Sequence, residues 1–530
     1  MKSTQPEVDL NPYAWAEVSR ILQHFAPGLE VWAFGSRAKW TAKAHSDLDL
    51  AVMTNEPLSL EKFASLKEAF DESVLPFRVD VVDWAATSDS FRKIIERDKV
   101  VVQSEIDTRL IHSGWNTISL EDSLEALIDY RGKTPQKTES GIPLVTAKVI
   151  KAGRIERPTE FIAPEDYDAW MRRGIPKEGD VVLTTEAPLG EVAQLGSDKV
   201  ALAQRVITLR GKPDLLDNTY LLYLLQSDEM QEQLRARATG TTVLGIKQSE
   251  LRKVTLRLPP ISFQRNAAGI LKALDDRITL LCGTNATLEA IAQALFKSWF
   301  VDFDPVRAKL EGRAPEDMDE ATAALFPDGF EESELGLVPR GWRVKSLDEV
   351  ANFLNGLALQ KLPPSDDAWL PVIKIAQLRK GDTVGADRAG RNLKREYIIQ
   401  NGDVLFSWSG SLEVEVWCGG EGALNQHLFK VTSDNYPKWF YYLWTKHHLE
   451  HFRQIAASKA TTMGHIQRAH LTQAKAVVPP DAFVEAVGES FAPLLDRWTA
   501  TALQAQTLAT LRDTLLPRLI SGALRLPEVS

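Results

Sequence analysis

Most of this chain says the same thing twice. Gly114-Trp115 opens one series of motifs and Gly341-Trp342 opens another, and the later members recur in the same order. Gly179-Asp180-Val181-Val182-Leu183 returns as Gly402-Asp403-Val404-Leu405-Phe406, and Ala201-Leu202-Ala203-Gln204 as Ala423-Leu424-Asn425-Gln426. Thr242-Val243-Leu244-Gly245 returns as Thr461-Thr462-Met463-Gly464, Pro259-Pro260 as Pro479-Pro480, and Leu274-Asp275-Asp276-Arg277 as Leu494-Leu495-Asp496-Arg497. The repeat distance is far longer than the supersecondary unit of a solenoid. The pattern is that of a duplicated domain, which suggests a protein that grips something twice.

A chain of 530 residues predicts two to four domains, and 44% hydrophobic with 25% charged residues is ordinary for a soluble globular protein. Residues 1–10 are polar and acidic, unlike a signal peptide, and no apolar run reaches the ~20 residues that span a bilayer. Cys282 and Cys418 are the two cysteines, and neither has metal-ligand spacing. The expectation is a cytoplasmic protein with no disulfide framework, no zinc and no membrane partner. The net charge of −10 argues against a generally basic nucleic-acid binder. Local clusters cut the other way. Arg235, Arg237, Lys247, Arg252, Lys253 and Arg257 lie in the first copy; Lys374, Arg379, Lys380, Arg388, Arg391, Lys394 and Arg395 lie in the second.

Residues 1 to about 105 stand outside the duplication. Pro12–His24 has helical spacing, and Glu30–Phe34 reads as a short buried strand followed by Gly35-Ser36-Arg37. His45–Val52 reads as the next strand, Leu60–Glu72 as a helix, Arg78–Val82 as a third strand and Phe91–Asp98 as a closing helix. Alternation along the second strand places Asp47 and Asp49 on one face. Two carboxylates that close call for a cation, and hard oxygen ligands suit Mg²⁺ carried with nucleotide phosphates. Asp80, from another strand, is the candidate third carboxylate. Gly35 allows close backbone approach to a phosphate, and Ser36 offers a hydroxyl and an N–H.

On those residues, the stretch from Val31 to Asp83 resembles the minimal nucleotidyltransferase family, related in fold to polymerase-beta-like transferases. The resemblance implies that Gly35 and Ser36 bind the triphosphate of ATP. It implies that Asp47, Asp49 and Asp80 are the catalytic carboxylates that hold Mg²⁺, with Asp80 also assisting the attacking group. Trp40 stands where the family usually has a glycine, a departure in the loop between the two motifs.

The repeats show no catalytic apparatus. Gly240–Lys247 lacks the Gly-Lys-Ser/Thr ending of a phosphate loop, and Asn11-Pro12-Tyr13 falls short of the Asn-Pro-Pro-aromatic motif of amino-methyltransferases. The first part of each copy, rich in short strand-like runs such as Val181–Thr184, Val206–Leu209 and Val404–Phe406, reads as a compact α+β domain. The second part is helical. In Gln264–Phe300, Leu274, Leu281, Leu288 and Leu295 recur every seven residues, as do Ile278, Asn285, Ala292 and Trp299. The C-terminal stretch has a less regular stripe of Leu494, Trp498, Leu508, Leu511, Leu515 and Leu519. Pairing of the two helices, antiparallel, satisfies both stripes; packing of each on its own globular domain is the alternative. A helix over Gln264–Trp299 is about 54 Å long, more than the ~34 Å of one DNA turn, so it is suited to be a molecular ruler.

With these features residues 112–530 look like the specificity subunit of a type I restriction-modification system. The ends Ala294-Leu295-Phe296-Lys297-Ser298-Trp299-Phe300 and Leu515-Leu516-Pro517-Arg518-Leu519-Ile520-Ser521-Gly522 carry the resemblance too. So do Val301-Asp302-Phe303-Asp304-Pro305 and Leu335–Trp342 between the copies. The resemblance implies two target-recognition domains, each reading one half of a bipartite site in double-stranded DNA. It implies two docked DNA methyltransferase subunits that bind S-adenosylmethionine and flip the target adenine, and a motor-nuclease subunit that joins them. DNA enclosed jointly by several subunits removes the need for this one to be basic.

The expected multidomain α+β plan is a nucleotidyltransferase-like domain at 1–107, recognition domains at 108–262 and 339–482, spacer helices at 263–307 and 483–530, and a linker at 308–338. The two spacer helices are expected to pair as an antiparallel coiled coil. Side chains suited to read bases are Lys148, Gln204, Arg205 and Lys247 in the first recognition domain, and Lys374, Gln377, Gln426 and His427 in the second. Two functions follow. In one, the chain is a non-catalytic DNA-specificity subunit with an appended transferase domain. In the other, its main work is ATP-dependent adenylylation of a partner, antitoxin-like, with the repeats as a DNA-targeting platform.

Overall fold

The computed structural model describes residues 8–526, apart from 27, 44–45, 74, 104–113, 131–133, 241–242, 317, 365–367, 459–463 and 525. His45, Thr242, the Thr461–Met463 part of the fourth duplicated motif and the expected 107/108 boundary lie outside the described residues. Contacts divide the chain into two compact units, 1–275 with 511–530, and 276–510.

The first unit begins with helix α1 (Pro12–Phe25), which starts where Asn11 Oδ1 accepts from Ala14 N at 2.8 Å and a proline takes the first turn. A four-stranded sheet follows, of order β3-β2-β1-β4: β1 (Glu30–Phe34), β2 (Leu48–Met53), β3 (Val79–Asp83) and β4 (Val100–Gln103). Strands β2 and β3 run parallel, and β1 is antiparallel to both β2 and β4. Helices α2 (Gly35–Ala38), α3 (Leu60–Asp71) and α4 (Asp89–Asp98) connect them. Alternating strand residues feed two cores. Val31, Ala33, Leu50 and Val81 pack with Val18, Ile21, Leu66 and Phe70 on one face, while Trp32, Phe34 and Ala51 pack with Ile95 on the other.

The second expected strand is shorter than its sequence pattern. The β2 ladder begins at Leu48, so Asp47 stands one residue before it.

The rest of the first unit holds the first copy. Strands β5 (Leu124–Asp129), β6 (Val181–Thr185), β7 (Leu189–Gln194) and β8 (Val206–Gly211) form a sheet of order β7-β6-β8-β5. Ala201–Leu202 lies parallel to Ile142–Val145 in a smaller sheet, and Asn116–Ser119 pairs with Thr255–Leu258 to close the ends of the copy. Helix α5 (Asn218–Gln226), capped by Asp217, buries Tyr220, Tyr223 and the leucines between them. Leu271 of the long helix α6 (Ile261–Phe296) and Leu519 join that core. Asp275 of α6 accepts from the Tyr223 hydroxyl at 2.7 Å and from Arg512 Nη1 at 2.7 Å.

The second unit repeats the pattern. Its main sheet contains β9 (Asn352–Asn355), β10 (Val404–Ser407), β11 (Val414–Val416) and β12 (Leu428–Thr432). The order is β11-β10-β12-β9, strand for strand that of the first copy. Gly422–Leu424 lies parallel to Trp369–Ile373, and Arg343–Ser346 pairs with Lys475–Val478. Helix α7 (Lys438–Ser458) replaces α5. The 308–338 stretch carries a short helix, Glu320–Leu325, and a hairpin of Phe330–Ser333 with Gly336–Pro339.

The core here is aromatic: Trp299, Phe300, Trp342, Trp439, Phe483 and Phe491 interlock. Helix α8 (Asp481–Ile520) is the second long helix. Within this unit Thr501 donates to Asn285 of α6, and Trp299 meets Phe491 at 5.4 Å. One member of its expected apolar stripe is misplaced. Leu511 is 45% exposed, and its neighbour Arg512 pairs with Asp275.

The duplicated Gly-Asp pair has the same job twice. Gly179 and Gly402 take φ of +82° and +88°, a region open to glycine, and turn the chain into the central strand. The aspartate then pairs with a base on the neighbouring strand: Asp180 with Arg210, Asp403 with Lys430, both at 2.7 Å.

Candidate functional site

Two sets of side chains gather at strand ends. In the N-terminal sheet, Asp49 sits between Phe34 of β1 and Asp80 of β3 in register. The chain leaves β1 through Gly35, whose φ is +75°. A Cβ placed on Gly35 would lie 2.3 Å from Asp49 Oδ2, so no larger residue fits between the turn and the carboxylate. Ser36 follows in the first turn of α2. The structure therefore brings Gly35, Ser36, Asp49 and Asp80 together at one end of the sheet, with exposed Asp47 at the entry to β2.

Asp49 is held above the usual carboxylate range, first by burial and then by the negative charges of Asp80 and Asp47. Arg78 Nε offsets part of this at 3.3 Å from Asp80 Oδ1, but that pair is largely exposed. Among the described residues, no three His, Cys, Asp or Glu side chains are arranged to hold a metal ion together. The excess of negative charge around Asp49, on hard oxygen donors, nonetheless fits a divalent cation.

Arg37 is a site residue the sequence reading passed over, though it completes Gly-Ser-Arg. It is 6% exposed. Its Nε donates to Ser46 O at 2.9 Å and its Nη1 to Asp9 O at 2.9 Å, and the guanidinium lies 3.8 Å from the centre of the Phe77 ring. It thereby fixes the backbone that presents Asp47. Asp83, also on β3, has a different part: it accepts from Thr54, from Leu58 N at 2.6 Å and from Ala85 N at 3.0 Å, and ties down loops. Trp40 adopts φ +57° with its ring 63% exposed, the left-handed backbone a glycine takes easily.

The second set of side chains occurs once in each copy, at the end of the central strand. In the first, Thr185 N donates to Arg205 O at 2.9 Å and Ile246 N to Thr185 O at 3.0 Å. In the second, Trp408 N donates to His427 O at 3.4 Å and Ile466 N to Trp408 O at 2.9 Å. The same backbone frame carries different side chains. Arg205 forms an ion pair with Glu186, Nε to Oε1 at 2.7 Å. At the matching positions His427 Nδ1 meets Ser409 Oγ at 3.0 Å. Gln426 Nε2 lies 3.3 Å from the other ring nitrogen of His427, and the Trp408 ring lies 5.8 Å away, its Nε1 bonded to Asn355.

Of the expected base readers, the fold gathers Gln204, Arg205 and Lys247 in one frame, and Gln426 and His427 in the other. Lys148, Lys374 and Gln377 are placed elsewhere, on the helical turns Ala147–Val149 and Ile375–Lys380 that follow the parallel strands. Lys374 is ion-paired with Asp387, and Gln377 is 7% exposed with its amide oxygen turned back to Lys374 N at 3.3 Å, as a cap. Glu186, Trp408 and Ser409 were missed; counting from the duplicated Gly-Asp pair reaches Glu186 and Ser409 at the same step.

Comparison with known proteins follows the same division. Residues 112–290 and 339–486 match the family described as type I restriction modification DNA specificity domain, and residues 17–107 match polymerase beta, nucleotidyltransferase. The type I restriction enzyme MjaIX specificity subunit of Methanocaldococcus jannaschii is 25% identical over 447 residues, 80% of this chain and 97% of its own length. The HindI specificity subunit of Haemophilus influenzae is 24% identical over 375 residues, 61% of this chain and 81% of its own. The probable protein adenylyltransferase MntA of Haemophilus influenzae is 50% identical over 102 residues, 19% of this chain and 90% of its own. Among the described residues no helix is long and apolar enough to cross a membrane.

Proposed function

Because the chain belongs to the type I restriction-modification DNA specificity family, with a nucleotidyltransferase domain of the MntA kind at its N-terminus, we propose that its two copies each read one half of a bipartite DNA site for a methyltransferase assembly. The observation that carries this reading is the pair of matched frames: identical backbone hydrogen bonds hold Arg205 with Glu186 in one copy and His427 with Ser409 in the other. A duplicated scaffold with divergent side chains at one rim suits recognition of two different half-sites. Recognition domains at 108–262 and 339–482 are joined by spacer helices at 263–307 and 483–530. The two helices form an antiparallel coiled coil that docks two methyltransferase subunits, which supply S-adenosylmethionine; a motor-nuclease subunit completes the complex. Support for the pairing comes from Asp275 with Arg512 and Asn285 with Thr501, whose numbers fall along one helix as they rise along the other.

The N-terminal domain transfers an adenylyl group from ATP to a hydroxyl of a partner protein. Asp47, Asp49 and Asp80 would hold Mg²⁺, which would neutralise charge on the phosphates and the carboxylates alike. Gly35 lets the backbone approach the triphosphate, Ser36 donates to it, and Asp80 accepts the proton of the attacking hydroxyl. The new bond forms at the α-phosphorus and pyrophosphate leaves. The test is labelled ATP with Mg²⁺ and co-purified partner proteins, beside the Asp47→Ala/Asp49→Ala chain. Label on a partner with the wild-type chain alone supports the assignment; equal labelling sinks it. The specificity role is tested by mapping methylated adenines in cells that carry the whole complex, where a single two-part motif is expected.

A further inference from the structure

The ion pair of Arg205 and Glu186 is only half buried, with side chains 51% and 42% exposed. Exposed pairs contribute about 0–1 kcal/mol, so stability does not explain why the backbone beneath this one is so tightly fixed. Thr185 N donates to Arg205 O on one side, and Thr185 O accepts from Ile246 N on the other. Glu186 is bridged to Gly245, and Gly245 closes onto Thr239 through two hydrogen bonds of 2.9 and 3.0 Å. A Cβ on Gly245 would come within 3.3 Å of Glu186 Cβ, so the loop runs close beside the Glu186 side chain. Both charged groups are held in place and turned to solvent.

A guanidinium held by a carboxylate on one edge keeps its other N–H groups as a rigid fork. In the major groove guanine offers two acceptors, O6 and N7, and its partner cytosine offers an amino donor, N4. Arg205 donates to the first and Glu186 accepts from the second. Over an A·T pair the same two groups meet the wrong partners: the fork faces the adenine N6 donor and the carboxylate faces the thymine O4 acceptor. Each mismatch strands a desolvated polar group, which is how a site rejects as well as selects. The carboxylate is tolerable beside DNA because Arg205 offsets its charge.

We propose that Arg205 and Glu186 act as one unit that reads a single G·C pair in the half-site of the first recognition domain. The inference rests on the reading of the copies as DNA-recognition domains. At the matching positions of the second copy, Ser409 and His427 are a hydrogen-bonded pair with no carboxylate. The other half-site therefore has no such G·C requirement from this position.

The experiment uses the full chain assembled with its methyltransferase subunits, and adenine methylation of a library of randomised duplex sites is read by sequencing. The wild-type complex is compared with Arg205→Ala, Arg205→Gln and Glu186→Gln. The expected result is that both Arg205 variants lose discrimination at one G·C position of one half-site, by roughly 10- to 100-fold, and leave the other half unchanged. Glu186→Gln, whose amide both donates and accepts, weakens the rejection of A·T at that same position, while Arg205 still faces the adenine N6 donor. Arg205→Gln keeps a side chain of polar character and length in case the truncation perturbs the loop. Two results overturn the proposal: an unchanged motif in the Arg205 variants, or a uniform loss of methylation over all sequences, which marks a phosphate contact. A wild-type complex that methylates no two-part motif overturns the underlying reading instead.

Discussion

Asp49 and Asp80 stand opposite each other on adjacent parallel strands, and the first of them is pushed above the usual carboxylate range. Burial is the larger cause, and the charges of Asp80 and Asp47 add to it. A raised carboxylate disfavours its own ionised form in the fold. The resulting penalty is absent below the unfolded aspartate range, about 4, and is fully present once the pH has risen above the folded value. Asp49→Asn is therefore predicted to raise the melting temperature by about 1–3 °C at pH 7.5, with the difference shrinking as the pH falls towards 4. Adding MgCl₂ should stabilise the wild-type domain by mass action and leave the variant nearly unmoved. Thermal melts across pH, with and without Mg²⁺, check both.

A larger effect is expected from the duplicated Gly-Asp motif. Asp180 and Arg210 are 1% and 12% exposed, and truncation of the acid leaves a largely buried guanidinium with only the more distant Glu125, at 3.7 Å, as an acidic neighbour. Asp180→Ala should cost about 3–5 kcal/mol of the first copy's stability. Asp403 and Lys430 are wetter, at 23% and 14%, so Asp403→Ala should cost less. Urea unfolding of the two full-length variants gives the comparison.

That motif shows how far the sequence could be read. The glycine had to turn the chain and the aspartate recurred with it, so the copies were visible from spacing, and the structure gives them the same strand order. The carboxylate site was legible for a similar reason: Gly35, Asp49 and Asp80 are tied to strand ends by local pattern. What failed depended on partners far along the chain. Asp47 was read as part of a strand, but pairing starts only at Leu48, opposite Val79 of β3. Leu511 looked like a stripe residue, yet it is exposed, and Arg512 beside it pairs with Asp275, far along the chain. Gln377, a candidate base reader, is 7% exposed and its amide oxygen accepts from Lys374 N nearby. Glu186 has no motif of its own and gains meaning only from the Arg205 that folds beside it.

The long helices share two polar contacts among the described residues, Asp275 with Arg512 and Asn285 with Thr501. Thr501 is 2% exposed and donates to Asn285. Buried polar pairs of this kind set register at a cost in stability. Asn285→Leu/Thr501→Leu is predicted to raise the melting temperature by about 2–4 °C, as expected for a gain near 1 kcal/mol. It should also loosen pairing, so that species larger than the wild type appear in size-exclusion chromatography with light scattering.

The most direct measurement of the central claim is a domain exchange read by methylation. Residues 114–262 are replaced with the recognition domain of another specificity subunit, and methylated adenines are mapped in cells that carry the complete complex. The account predicts that one half of the two-part motif changes to the donor's sequence while the other half stays as it was. A motif that is unchanged after the exchange, or one that changes in both halves together, would contradict it.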